Sequence, residues 1–426
     1  MAAPRDATPA PAQAMFHGDA AHTGLFASQG PRTAPALKWS FATKGPVLAS
    51  PALSGGVVYI GSDDGSLYAL DARTGALRWQ YDTEGPVGSS PAVAGGLVYV
   101  ASRDGNVYAI AADTGKLRWK FATAGERRFE AKGIHGIRPA TQTMPDPWDL
   151  LESSPAISGG VVYICSGDGN LYALDAGTGA LRCKFATHDV IHASPAIAAG
   201  TVYVGSWDSY LYAIDAETGR QRWRFKTGED PDKHNQVGFQ SSPAVVGDTV
   251  YVGCRDAHVY AVNAATGERR WAVSTKGSWV IATPAVHDGL VYVGTSDTDQ
   301  FLALDARTGA QRFAVKTGGY VFSSAAFAAG FAYVGAFDGR LYAIDTTAGR
   351  VAWTYATKGA VANAHAVLKA DGSLDEQAVF GGAAYFEDYV RAVATLLTAG
   401  AVVSSPAIAD GVVYFGSADG NVYALQ

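Results

Sequence analysis

Cysteine is nearly absent: three residues, Cys165, Cys183 and Cys254, in a chain of 426. They form no C-x-x-C pair, no haem-attachment motif and no metal spacing. Each stands where a repeated pattern elsewhere has Gly, Trp or Ser. That pattern places Cys165 and Cys183 on strands separated by a third, with Cys254 two repeats away. A disulfide, which needs Cα atoms about 4.4–6.8 Å apart, is therefore not expected. Charge is also sparse at 17% of residues, with a net charge of −6. A chain without a basic face is not expected to bind nucleic acid or an anionic membrane. No run of about eighteen apolar residues is present, which excludes a transmembrane helix. There is no Gly-x-Ser-x-Gly elbow. His188 and His192 are four apart but fall on a loop, so helical zinc geometry does not apply and no metal site is expected. No stretch of useful length has helical period.

Glycine, in contrast, occurs 50 times, as suits many short strands joined by tight turns. The unit is plain in residues 50–83, SPALSGGVVYIGSDDGSLYALDARTGALRWQYDT. Its proline recurs at Pro51, Pro91, Pro155, Pro195, Pro243, Pro284 and Pro406, with Ala325 in the same slot, in steps of 40, 64, 40, 48, 41, 41 and 81 residues. Steps of 64 and 48 are one period plus an insertion, and 81 is close to two periods. A degenerate copy is read in that last gap, with Ala378–Gly382 standing for one strand end and Tyr389–Ala394 for the next. Each unit divides into strands A to D, punctuated by Gly-Gly, Asp-Gly and Thr-Gly, where glycine tolerates the positive φ of tight hairpins.

The expected fold is all-β: a closed β-propeller of four-stranded antiparallel blades. Eight intact repeats and one degenerate repeat give eight or nine blades. The last copy stops after strand C at Gln426, and a stray strand D, Leu37–Thr43, precedes the first strand A. Pairing the two closes the ring and leaves no open sheet edge. Residues 1–36 are read as leader and lead-in and 37–426 as one propeller domain, with insertions at 125–151, 228–239, 369–377 and 383–388. The Ala/Pro-rich start, Met1–Ala14, is expected to be disordered.

The Asp-Ala-x-Thr-Gly-x-x-x-Trp segment resembles the tryptophan-docking repeat of the PQQ-like, quinoprotein-type propellers, over about residues 37–426. Phe16-His17-Gly18-Asp19 with His22-Thr23-Gly24 resembles the lead-in of some members. The family includes BamB-like binding proteins and quinoprotein dehydrogenases, so the likeness is specific for fold and not for function. The start also resembles the tract that follows a signal-cleavage point, implying a periplasmic or secreted protein; a cytoplasmic one is the alternative.

The repeat separates scaffold from site. Trp39, Trp79, Trp119, Trp223, Trp271 and Trp353 share the strand D slot and are expected to wedge blades together. Asp71, Asp175, Asp215, Asp305 and Asp345 precede the turn, where a carboxylate can accept backbone N–H groups. The insertions carry the departures. D-to-A and B-to-C loops emerge on one face, so 125–151, 228–239 and 383–388 should decorate one mouth and 369–377 the other. Trp148, Trp207 and Trp279 fall outside the repeat and are expected either as exposed rim aromatics or as caps on the channel.

The slot three before the strand A proline, facing the channel, holds Glu152, His192 and Gln240 on consecutive blades, and the B-to-C slot adds Gly167, Trp207 and Arg255. With Arg127, Arg128, His135 and Asp146 from the insertion above, these form a candidate ligand-binding patch. The leading expectation is a monomeric, non-enzymatic binding or scaffold propeller, with no cofactor, that holds a protein, peptide or small ligand on its loop-bearing face. One alternative is a dehydrogenase using PQQ and Ca²⁺, as the resemblance allows, although the adjacent cysteines of many alcohol-oxidising members are missing. Another is an enzyme using Glu152 and His192 as acid and base.

Overall fold

The computed structural model describes residues 14–228 and 238–426. Eight four-stranded antiparallel sheets form the blades of a β-propeller. Each strand A is three residues long, and the eight of them neighbour one another in a complete circle around the axis, the last lying beside the first. Leu37–Ala42 pairs antiparallel with Asn421–Leu425, and Trp39 stands opposite Ala424.

The Ser-Pro-Ala motif has a specific task at the axis. The backbone N–H of Ser50 donates to the Ser90 hydroxyl, Ser90 to Ser154, Ser154 to Ser194 and Ser194 to Ser242, all at 2.8–3.0 Å. Between blades 5 and 6 the bond is from the Ser241 hydroxyl to the Ala282 carbonyl; Thr283 then donates to Ser324, Ser324 to Ser405 and Ser405 back to Ser50. Proline follows this position in every blade but the seventh, where Ala325 stands, and it leads into strand A with no N–H to leave unpaired. These bonds tie inner strands whose ladders run radially outward.

Farther out, tryptophan couples neighbouring blades. Each indole N–H of Trp39, Trp79, Trp119, Trp223 and Trp271 donates to an Ala carbonyl of the next blade, at 2.9–3.0 Å. The ring lies against the glycine of that blade's turn. A Cβ on Gly75, which has φ +74°, would come within 2.7 Å of the Trp39 ring, so the Thr-Gly turn and the Trp are a matched pair. Blade 3 has Cys183 in this slot, facing Gly219, and among the described residues the Ala216 carbonyl receives the Tyr163 hydroxyl but no indole N–H. Cys183→Trp is expected to stabilise the protein by about 1–2 kcal/mol, adding apolar burial and one hydrogen bond. Denaturant unfolding checks this: an unchanged or lower midpoint would show that blade 3 cannot accept the wedge.

The degenerate copy is not a blade. Its segment forms three helices, α1 Lys358–Asn363, α2 Glu376–Phe380 and α3 Phe386–Leu397. With no Gly between Gly382 and Gly400, Tyr389, Val393 and Leu396 repeat at helical spacing and pack as one stripe into the core cluster at the mouth. Glu387 and Asp388 sit in the first turn of α3, where the helix dipole favours negative charge. Tyr389–Ala394, expected as a repeat strand, is therefore part of a helix. With no ninth blade, residues 357–401 are one long D-to-A connection. Lys369–Gln377 accordingly emerges on the same mouth as the other insertions, not opposite, and 383–388 runs from the link between two helices into the first turn of α3.

The lead-in lies across the other mouth. Ala14, Ala20, Ala21, Thr23 and Gly24 accept backbone bonds from strand A residues of blades 2, 4, 5, 6 and 7. His17 and His22 are buried beneath it, and His22 donates to the Pro243 carbonyl at 2.9 Å. The expectation of disorder for Met1–Ala14 lies outside the described residues, apart from Ala14, which pairs with Val93. No helix among the described residues is long and apolar enough to cross a membrane.

Candidate functional site at the loop-bearing mouth

Residues 146–151, the end of the first long insertion, cross the mouth as a strap. Gln240 of blade 5 donates to the Trp148 carbonyl at 2.9 Å, and Arg103 of blade 2 to the Leu150 carbonyl at 2.9 Å. Trp148 and Leu150 pack against Leu48, Ile281, Phe322 and Val403, the apolar occupants of the channel-facing slot on blades 1, 6, 7 and 8. The polar slots of blades 3 to 5 lie under the other side of the insertion.

Those polar groups are satisfied by one another. Arg255 is fully buried; it donates to Asp146 at 2.6 Å and to the Gln240 amide oxygen at 3.2 Å. Its guanidinium lies 3.7 Å from the Trp279 ring centre and 4.7 Å from that of Trp207, an arrangement of cation between aromatic faces. His135 donates to the other Asp146 oxygen at 2.8 Å and stacks on Tyr389. Burial opposes ionisation of Asp146, but Arg255 and His135 outweigh it and hold the carboxyl well below its ordinary range. His192 donates to Asp149 at 2.7 Å and to Glu126 at 2.8 Å. Burial alone would lower its pKa, yet the two carboxylates raise it to about 10. Glu152 is ion-paired with Arg103; burial pushes it up to about 7 against the pull of that guanidinium.

The arrangement has chemical consequences. His192 is an imidazolium at neutral pH with both nitrogens engaged, so it has no lone pair to act as a base. Glu152 is held against an arginine. Trp207 stacks on Phe129 at 4.2 Å, and Trp148, Trp207 and Trp279 are all at least nine-tenths buried. They cap the channel and do not form exposed rim aromatics. Arg127 reaches outward to Asp189 at the rim. Arg128 is half-buried near Arg103, and burial lowers its pKa. The structure thus brings Glu152, His192, Gln240, Trp207, Arg255, His135 and Trp148 together as the foundation of the strap. The 229–237 part of the second insertion lies outside the described residues.

Open space lies beside this foundation. A cleft of about 890 Å³ opens between blades 6 and 7 and the helical insertion. Tyr320, Trp148, Phe380, Tyr389, His135 and Trp279 form its aromatic belt, each ring centre within 6 Å of the next. Asp297, Asp299 and Glu376 supply carboxylates, with Lys316 at the edge. Burial raises Asp299 to about 6, helped by Glu376 and Asp297 and opposed by Lys316. Sequence reasoning missed these residues. One signal was available: the blade 6 turn from Thr295 to Gln300 is one residue longer than its counterpart, and Asp299 takes positive φ where the repeat has Gly.

The sequence profile of the outer membrane protein assembly factor BamB matches residues 33–134, 136–278 and 255–403. The chain belongs to this BamB family. BamB from Moraxella catarrhalis superposes with a TM-score of 0.65 at 18% identity, covering 92% of this chain and 99% of that one. Quinohemoprotein alcohol dehydrogenase from Comamonas testosteroni gives 0.69 at 16% identity, covering 96% of this chain and 80% of that one. A europium-containing methanol dehydrogenase gives 0.70 at 14% identity, covering 97% and 98%. Identities this low establish the propeller fold alone. No curated protein sequence matches the chain.

The quinoprotein resemblance implies a quinone and Ca²⁺ on the axis. In this BamB-family chain the space left on the axis, between Leu151 above and Phe16 below, is about 30 Å³, room for little more than a water molecule. Glu152, the carboxylate there, is committed to Arg103. Those residues do not fit the group.

Proposed function

We propose that this chain is a non-enzymatic binding propeller of the cell envelope that holds a protein, peptide or small ligand at its loop-bearing mouth. One observation carries the reading. The polar groups a catalyst would need are spent on anchoring the strap, while an aromatic cleft on the same face stays open to solvent. Convergent polar groups in a largely preformed concave site are what ligand pockets present. The envelope location and a protein partner are supported by membership of a family named for outer membrane protein assembly. The low charge, with a net value of −6, supports a partner other than nucleic acid.

Two measurements test the reading. A photo-crosslinking residue at Gln377, on the cleft wall, is expected to capture a partner in envelope extracts. The same residue at Ser54, by the turns of the opposite mouth, is expected to capture none. Capture only from Ser54 would overturn the assignment of the face. Adding PQQ with Ca²⁺ is expected to give neither a spectral shift nor dye reduction; either one would restore the dehydrogenase alternative.

A further inference from the structure

We propose that the cleft between blades 6 and 7 and the helical insertion binds an organic cation, an ammonium or guanidinium group, carried by a small amine or by a Lys or Arg side chain. This rests on the reading of the mouth as a binding face and gives its ligand a chemical class.

Three independent features converge. The first is the aromatic belt, whose electron-rich faces attract cations and whose edges exclude water. The chain already demonstrates the preference: Arg255 occupies one face of Trp279 from within. The second is charge. Asp297, Asp299, Asp371 and Glu376 line the cleft against Lys316 and Lys369, an excess of carboxylate beside aromatic rings. Tyr320 donates its hydroxyl to Glu376 at 2.8 Å, fixing that carboxylate at the aromatic wall.

The third is an unspent acceptor. Asp299 is 8% exposed, and its Oδ1 has no hydrogen-bond partner among the described residues. Leaving a buried carboxylate oxygen unsatisfied is costly, and the backbone is held at φ +47° to place it there. Its Oδ2 takes the Lys316 ammonium at 3.1 Å, but that side chain is 62% exposed. The ammonium also donates to the Thr298 carbonyl at 3.0 Å, but a flexible cation that stays in water gains little from such a pair and can be displaced. Lys316 therefore stands at the cleft edge as a resident cation that a better-fitting one can replace. No group of three or more ligands suited to a metal ion is found among the described residues, whereas aromatic walls suit a soft, weakly hydrated cation.

Calorimetry and tryptophan fluorescence on the full chain test this, with n-butylammonium, ethylguanidinium and the tripeptide Gly-Lys-Gly as cations. Isopentanol and butyrate are the neutral and anionic controls. The cations are expected to bind and to perturb Trp148 and Trp279 emission, with both controls at least tenfold weaker. Asp299→Asn is expected to weaken the cations about tenfold. Should that variant fold poorly, Glu376→Gln on the exposed helix gives the same direction. Lys316→Gln, which removes the resident competitor, is expected to tighten binding several-fold. Binding of the tripeptide alone assigns the cation to a peptide side chain; equal binding of butylammonium assigns it to a free amine. Isopentanol or butyrate binding as well as the amines would overturn the cation inference while leaving the mouth as a binding face. So would an unchanged affinity in Asp299→Asn, or no binding by any probe while Gln377 still crosslinks a partner. Crosslinking confined to Ser54 would remove the underlying reading instead.

Discussion

Arg255→Ala is expected to destabilise the protein by about 3–5 kcal/mol, more than any single substitution in the cleft. The residue is completely buried, and truncation leaves Asp146, itself fully buried, without its guanidinium partner and with His135 as its remaining side-chain hydrogen-bond partner. An uncompensated buried charge is the dominant cost, not the loss of the pair's own attraction. Two further losses add to it: the faces of Trp207 and Trp279 lose the guanidinium between them, and the Gln240 oxygen loses a donor. Equilibrium unfolding in denaturant measures the total. Asp146→Asn combined with Arg255→Met is expected to cost less than the sum of its parts, because the two sites share one interaction. A loss under about 1 kcal/mol for Arg255→Ala would show that the guanidinium is available for a ligand, and the candidate patch would be a site after all.

Acidification is expected to loosen the opposite mouth, with His22 as the sensor. Burial, reinforced by His17, lowers the His22 pKa from 6.5 to about 4, against the pull of the Pro243 carbonyl and Asp19. The unfolded chain therefore takes up the proton first. The stabilisation by neutral His22 is complete above about pH 6.5 and is lost as pH falls toward 4. Between pH 7.5 and 4.5 this amounts to about 2–3 kcal/mol. Glu152 and Asp299, both raised by burial, run the other way over part of this range, so total stability is not the readout. The comparison with His22→Asn is. Asparagine can keep the bond to Pro243 and tolerates the φ of +58° at this position. Unfolding free energies should favour wild type at pH 7.5 and converge with the variant, or cross it, by pH 4.5. A difference that stays constant with pH would mean that His22 is not titrating in the buried lead-in.

The propeller was legible because its determinants are local and repeated. Serine at the axis, glycine at the turn and tryptophan on strand D each act within one period or across one blade boundary, so eight copies confirm each other. The degenerate copy misled for the same reason: Tyr389–Ala394 falls where the repeat places a strand, and only its packing reveals the helix. The grouping of Glu152, His192, Gln240 and Arg255 was readable from slot positions. Its meaning was not, since the partners that neutralise it, Arg103, Glu126, Asp146 and Asp149, lie 43 to 109 residues away in sequence. Apart from the longer blade 6 turn that carries Asp299, the cleft could not be read from the repeat, because Tyr320, Glu376 and Tyr389 meet only once the insertion has folded over blades 6 and 7.

Hydrogen–deuterium exchange of the intact chain, alone and with the Gly-Lys-Gly tripeptide, bears most directly on the division of the mouth into foundation and cleft. Residues 126–152 should already exchange slowly without ligand and stay unchanged, while 295–300 and 369–389 slow when the peptide is added. Rapid exchange in 126–152 that becomes protected on binding would mean that the strap is the ligand site and the cleft only its edge.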